Sequence, residues 1–236
     1  MMMIAQLYKH LSDEVDGLKF SLPVSHVYNP LNYAWDGFTQ YLSLLPERAR
    51  VVFVGMNPGP WGMSQTGIPF GEVEAVRNFL CISHISITSP ELTHPSYPVR
   101  GLQCTRSEVS GRRLWGLFRE RFGSSEAFFR EHAVLNYCPL MFIAENRNLT
   151  PDKLRKEERV KLFALCDECL RGVIEILKPE VVAGVGSFAE KRAKESLAGL
   201  EVKIVKILHP SPASPASNKD WAGKVTQQLI EQEVWQ

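Results

Sequence analysis

Three polar side chains close apolar runs in this sequence. Asn57 follows "VVFVGM", Asn136 ends "HAVLN", and His209 follows "EVKIVKIL". Taken singly, a strand-end asparagine reads as a turn former and a lone histidine as a satisfied surface residue. Three such groups at strand ends point to one crevice. An amide can hold water through its oxygen or read the edge of a planar ring, and an imidazole can donate to an oxygen that gains charge. The set therefore predicts an uncharged polar pocket.

The segments around these residues are stiff. Asn57 opens "NPGPWGMS", with two prolines and two glycines in eight residues. The prolines remove N–H donors that a phosphate nest would use, and neither GxxxxGK[ST] nor GxGxxG is present. A nucleotide triphosphate or dinucleotide site on this loop is disfavoured on those grounds. His209 opens "HPSPASPASNKDW", with three prolines in the next six residues. Such a loop loses little entropy on ordering. Ser211, Ser214 and Ser217 carry hydroxyls suited to phosphate oxygens, and Lys219 adds charge.

Cys166-x-x-Cys169 lies in a helical pattern, with no second pair and no paired histidines, so it reads as ordinary part-buried thiols. Five scattered cysteines in a chain of 236 residues argue against a disulfide framework and for a reducing compartment. No signal peptide or membrane span is apparent, so the expectation is a soluble intracellular protein needing no metal or other cofactor. The net charge of +1 announces no nucleic-acid binder. Any basic surface must be local. Arg100 to Arg121 supplies one, with six arginines against Glu108 and Glu120.

These residues need elements to hold them. "ARVVFVGM", "HAVLNYCPLMF", "EVVAGVG" and "EVKIVKIL" read as strands. Helical spacing covers residues 1–18, the aromatic segment after Asn29-Pro30, "FGEVEAVRNFL" from Phe70, "SGRRLWGLFRERFG", a long helix capped by Thr150 with Pro151 in its first turn, "SFAEKRAKESLAG", and 222–233. Residues 81–110 read as irregular. Alternating strands and helices predict an α/β fold, a three-layer αβα sandwich on a central four-stranded parallel sheet. No linker divides the chain, so residues 1–236 form one expected domain. In such sheets the ligand crevice lies beyond the carboxyl ends of the strands.

"GMNPGPWGMSQTGIPFGEV" and "HPSPASPASNKDW" together resemble the two signatures of the single-strand-selective monofunctional uracil-DNA glycosylases. "SEVSGRRLWGLF", "NYCPL" and "NRNLTP" resemble that family's connecting segments, in the expected order. The resemblance implies that Asn57 positions the attacking water and His209 faces the leaving base. It implies that Asn136 reads the pyrimidine edge and Phe70 stacks on the everted base, with Met56 and Gly59 shaping the pocket. Pro210, Ser211, Pro212, Ala213, Ser214 and Lys219 fall in the segment expected to meet DNA. Ala213 stands where animal members carry arginine, Ser214 and Asp220 depart from the usual Asn and Gly, and Trp61 replaces a phenylalanine.

The implied activity is release of uracil and C5-modified uracils such as 5-hydroxymethyluracil from single- or double-stranded DNA by a monomeric enzyme. An open pocket beside Gly59 would extend this to xanthine. Two rivals remain at this level: a free nucleoside hydrolase, which would ignore oligonucleotides, and a non-catalytic lesion binder, which would leave the base attached.

Overall fold

Continuous apolar runs such as Val51–Val54 suit strands covered on both faces, as in a parallel sheet between helices. The computed structural model describes residues 1–236. Its strands are β1 (Val24–Tyr28), β2 (Val51–Gly55), β3 (His132–Asn136), β4 (Met141–Ala144), β5 (Arg147–Leu149), β6 (Val181–Val185) and β7 (Lys203–Ile207). Four form a parallel sheet in the order β3-β2-β6-β7. The chain leaves β2 toward β3 and later returns to β6 on the other side of β2. That reversal opens a crevice at the carboxyl ends.

Helices cover the sheet in two groups. Met2–Asp16, Lys156–Leu177 and Ser187–Ser196 pack in succession, and Val109–Phe122 packs with Val73–Asn78, Ser125–Phe128 and Trp221–Glu231. The three-layer αβα sandwich is thus the observed architecture. Phe53 of β2 meets Phe118 with ring centroids 4.9 Å apart. One contiguous core of 56 buried residues runs through all layers. β3 lies at the sheet edge, where its free backbone groups need partners. The Tyr41 hydroxyl supplies them, donating to Val134 O at 2.6 Å and accepting from Val134 N at 3.1 Å. No helix is long and apolar enough to cross a membrane.

The structure corrects several boundaries. β1, β4 and β5 make a second, antiparallel sheet in the order β1-β4-β5. "HAVLNYCPLMF" therefore contributes to both sheets, broken at Pro139. The aromatic segment is two helices, Pro30–Tyr33 and Trp35–Leu44. The helix expected from Phe70 starts at Val73, because Phe70 takes φ 53° and Glu72 caps the turn by accepting from Ala75 N. Thr150 does not cap the long helix. Pro151–Lys153 forms a separate 3-10 turn, and the α-helix begins at Lys156. Cys166 and Cys169 are fully rather than partly buried. Burial pushes the Cys169 thiol up to about 12.

Candidate active site

A cavity of about 350 Å³ opens beyond the carboxyl ends of the parallel strands, and Met56, Asn57, Gly59, Phe70, Asn136, His209 and Ser211 all line it. Segments separated by as many as 155 residues therefore share one wall (Met56 to Ser211). The remaining expected residues lie along the rim segment and not in the cavity. Pro212, Ala213 and Lys219 are exposed, Ser214 is half-buried and Pro210 is buried.

The ladder between β2 and β3 continues past the strand ends. Tyr137 N donates to Gly55 O at 3.0 Å and Cys138 N to Met56 O at 2.9 Å. This carries the "NYCPL" turn over the loop that holds Asn57. The Asn57 Nδ2 group donates to Leu140 O at 3.1 Å. Its amide is thereby oriented, and Oδ1 is left for a water or ligand. Asn136 donates from Nδ2 to the Met63 thioether at 3.1 Å, while its buried Oδ1 has no partner. A buried acceptor without a donor costs about 1–3 kcal/mol and marks a place where a ligand N–H is welcome.

Phe70 reaches the same point from the other side. A Cβ on Gly55 would lie 2.4 Å from both Asn136 Oδ1 and a Phe70 ring carbon. Only glycine allows amide and ring to converge there. The positive φ of Phe70 turns the chain into this position just before the Glu72 cap.

His209 follows β7 by two residues. Its Nδ1 accepts from Ser211 N at 3.0 Å, so the ring proton of the neutral form sits on Nε2. Burial lowers the imidazole pKa from its ordinary value. Both effects favour a neutral imidazole that donates through Nε2–H. The loop behind it is held largely by its own atoms. Ala213 N donates to Ser211 Oγ, Ser217 Oγ to His209 O, and Asn218 Nδ2 to Pro212 O. Two bonds come from outside, Arg113 Nη1 to Pro210 O at 2.8 Å and Lys224 Nζ to Ala216 O at 2.8 Å.

Glu108 is a cavity residue to which sequence reasoning gave no role beyond balancing arginines. Its carboxylate fills the space that side chains on Gly59 and Gly62 would need, 2.0 and 2.6 Å from the ideal Cβ positions. The room at Gly59 is therefore occupied by Glu108, not left open. Burial pushes the carboxyl up to about 7; N–H groups of Trp61 and Gly62 oppose the rise, and Glu72 adds to it. Trp61 N donates to Oε2 at 3.3 Å. Ser110, Asn148 and Thr150 line the cavity too. They come from the "SEVSG" and "NRNLTP" segments, whose place in the family pattern was the one available signal.

Comparison with known proteins places the chain in a family. The family model described as the uracil DNA glycosylase superfamily matches residues 42–230. A single-strand selective monofunctional uracil-DNA glycosylase of Rattus norvegicus is 46% identical over 94% of this chain and 81% of its own length. Its counterpart in Bos taurus is 45% identical over 94% of this chain and 82% of that protein. The crystal structure of SMUG2 from Pedobacter heparinus shares the fold, with a TM-score of 0.68 at 19% identity over 98% of both chains. The chain thus belongs to the single-strand selective monofunctional uracil-DNA glycosylases of the uracil DNA glycosylase superfamily.

Proposed function

We propose that this protein hydrolyses the N-glycosidic bond of uracil in DNA and leaves an abasic site. The observation that carries the reading is the convergence of Asn57, Asn136, His209 and Phe70 on one cavity, with complementary groups unsatisfied. A base inside a duplex is out of reach, so it must be everted or taken from a single strand. Phe70 offers a face for the everted ring. Asn136 Oδ1 accepts the uracil N3–H. Its Nδ2, held by a weak thioether acceptor, remains free for a ring carbonyl. Cytosine presents the inverse pattern and leaves these groups unpaired, which costs ~10⁴ or more in rate.

Bond cleavage builds negative charge on the departing base and positive charge on the sugar. The His209 Nε2–H donates to O2 as that charge grows, so it binds the transition state better than the substrate. Asn57 Oδ1 holds the attacking water. The sugar cation needs little nucleophilic push, so an amide suffices. The stiff His209–Lys219 segment meets the DNA around the everted nucleotide, with Lys219 and the Ser211 and Ser214 hydroxyls facing phosphates; the Ser217 hydroxyl is buried and spent on His209 O.

Thymine differs from uracil by one methyl, worth ~1–3 kcal/mol in an apolar pocket. Glu108, Ser110, Asn148 and Thr150 give this cavity a polar wall instead. That wall supports acceptance of 5-hydroxymethyluracil, whose hydroxyl it can bond, over thymine. Glu108 takes the room beside Gly59 that would have admitted xanthine, so the case for this purine rests on its imide edge, which Asn136 reads as it reads uracil. The protein works as a monomer inside the cell, where its five thiols stay reduced. Single-stranded oligonucleotides carrying uracil, 5-hydroxymethyluracil, xanthine or thymine, followed by alkali, test the reading. Scission at the first three and none at thymine is the expected result. Retention of uracil-DNA with no abasic site would overturn it.

A further inference from the structure

Beside the cavity lies an aromatic cluster that the reaction above does not use. Trp61 follows Pro60, a cavity residue, and is half-buried. Tyr97 packs against it with ring centroids 5.7 Å apart, and the exposed Arg106 holds its guanidinium 4.3 Å from the indole centroid. Both ends of the cluster are tied to the cavity rim. The Tyr97 hydroxyl donates to Asn146 O at 2.8 Å, two residues before the cavity residue Asn148. Arg106 lies two residues before Glu108.

The cluster is held from below. Gln65 is 1% exposed and donates to Pro60 O at 2.8 Å and Pro98 O at 3.0 Å, while accepting from Arg100 N at 2.8 Å. One buried amide thus joins the loop of Trp61 to the irregular segment of Tyr97 and Arg106. That explains why an otherwise unstructured, proline-broken stretch keeps a defined aromatic surface beside the cavity.

An aromatic plane next to a cation is the recurring way to grip an unpaired nucleotide: the ring stacks a base of any sequence and the cation meets the backbone. We propose that Trp61, Tyr97 and Arg106 form a second nucleobase subsite, which holds the unpaired base adjacent to the everted uracil. The inference rests on the glycosylase reading and deepens it. In a duplex the adjacent base is stacked and paired, and the subsite stays idle. In a single strand it is free to move onto Trp61, and the exposed Arg106 guanidinium swings from the indole face to the backbone phosphate. The subsite therefore favours single strands.

The test compares uracil release from four substrates: a single strand with normal neighbours, single strands with a base-free tetrahydrofuran residue on the 5′ or the 3′ side of uracil, and a duplex. Stacking of one base is worth roughly tenfold. The parent protein is expected to lose roughly tenfold in kcat/KM on one of the two base-free strands. Trp61→Ala loses the same factor on the normal strand, loses nothing more when the neighbour is removed, and keeps its duplex rate. Trp61→Phe restores the preference. Arg106→Ala weakens single-strand binding and lowers its salt dependence.

A parent protein indifferent to both neighbouring bases overturns the subsite while leaving the glycosylase reading intact. So does a Trp61→Ala protein whose loss is equal on normal and base-free strands, since that is the mark of a merely structural residue. A parent that releases uracil from no substrate overturns both.

Discussion

Two proline-rich loops border the cavity, and they are held in opposite ways. The Asn57 loop is fastened largely by parts of the chain outside it. Leu140 O holds Asn57, Gln65 holds Pro60, Glu108 receives Trp61 N, and the Tyr33 hydroxyl donates to Ser64 O at 2.6 Å. The His209 loop bonds chiefly to itself, with Arg113 and Lys224 as its outside ties. One composition thus yields rigidity by two routes. Damage to the first loop spreads into the fold. Damage to the second stays local and alters chemistry alone.

The largest expected effect tests the second half of that contrast. His209→Ala is expected to slow uracil release by 10²–10³, the usual cost of one preorganised donor, with the unfolding midpoint unchanged. Because burial lowers the imidazole pKa, the parent rate is expected to stay level as pH falls through 6.5 and to drop only below it. A matching fall in stability would erase the distinction between the loops, and an acid limb at or above 6.5 would mean the ring is charged where a neutral donor is required.

Glu108→Gln tests the first half. The folded carboxyl takes its proton at about 7 and an ordinary exposed glutamate at 4.5. The folded state therefore binds more protons between those values. Stability declines as pH rises from 4.5 through 7 and is level above. Glu108→Gln removes that decline, so urea unfolding is expected to show a gain of up to about 3 kcal/mol at pH 8 and none at pH 4. An equal gain at both pH values would show that the carboxylate carries no burial cost and that the loop does not report on the fold.

The smallest effect sharpens the comparison. Arg113→Ala frees the base of the His209 loop and is expected to cut release from duplex roughly fivefold, about 1 kcal/mol for one lost bond, without changing release from single strands or the melting temperature. An equal loss on both substrates would mean that the loop is needed for the chemistry itself and not for entering a duplex.

The parallel sheet was legible because β2, β3 and β6 are near-continuous apolar runs and β7 alternates, each bounded by turn residues. The antiparallel sheet was not. β5 is three residues with little burial, and β1 alternates weakly after a proline, so neither carries a periodic signal. Asn57, Asn136 and His209 could be placed together because strand ends in such a sheet converge. Phe70 was read as the start of a helix, since nothing in its local sequence reveals a left-handed backbone. Glu108 looked like one of two countercharges in an arginine-rich stretch. Its role depends on the absence of side chains at Gly59 and Gly62, far away in sequence, and such a vacancy is invisible to local patterns.

The partnerless oxygen of Asn136 has a kinetic consequence. That atom has no hydrogen-bond partner within the protein, and any planar imide supplies one, whether or not a sugar is attached. The freed pyrimidine therefore lingers after its bond is cut. Turnover is then paced by departure of the product, and pre-steady-state traces should begin with a burst whose size equals the amount of enzyme. Added uracil should slow the later phase and leave the burst rate alone.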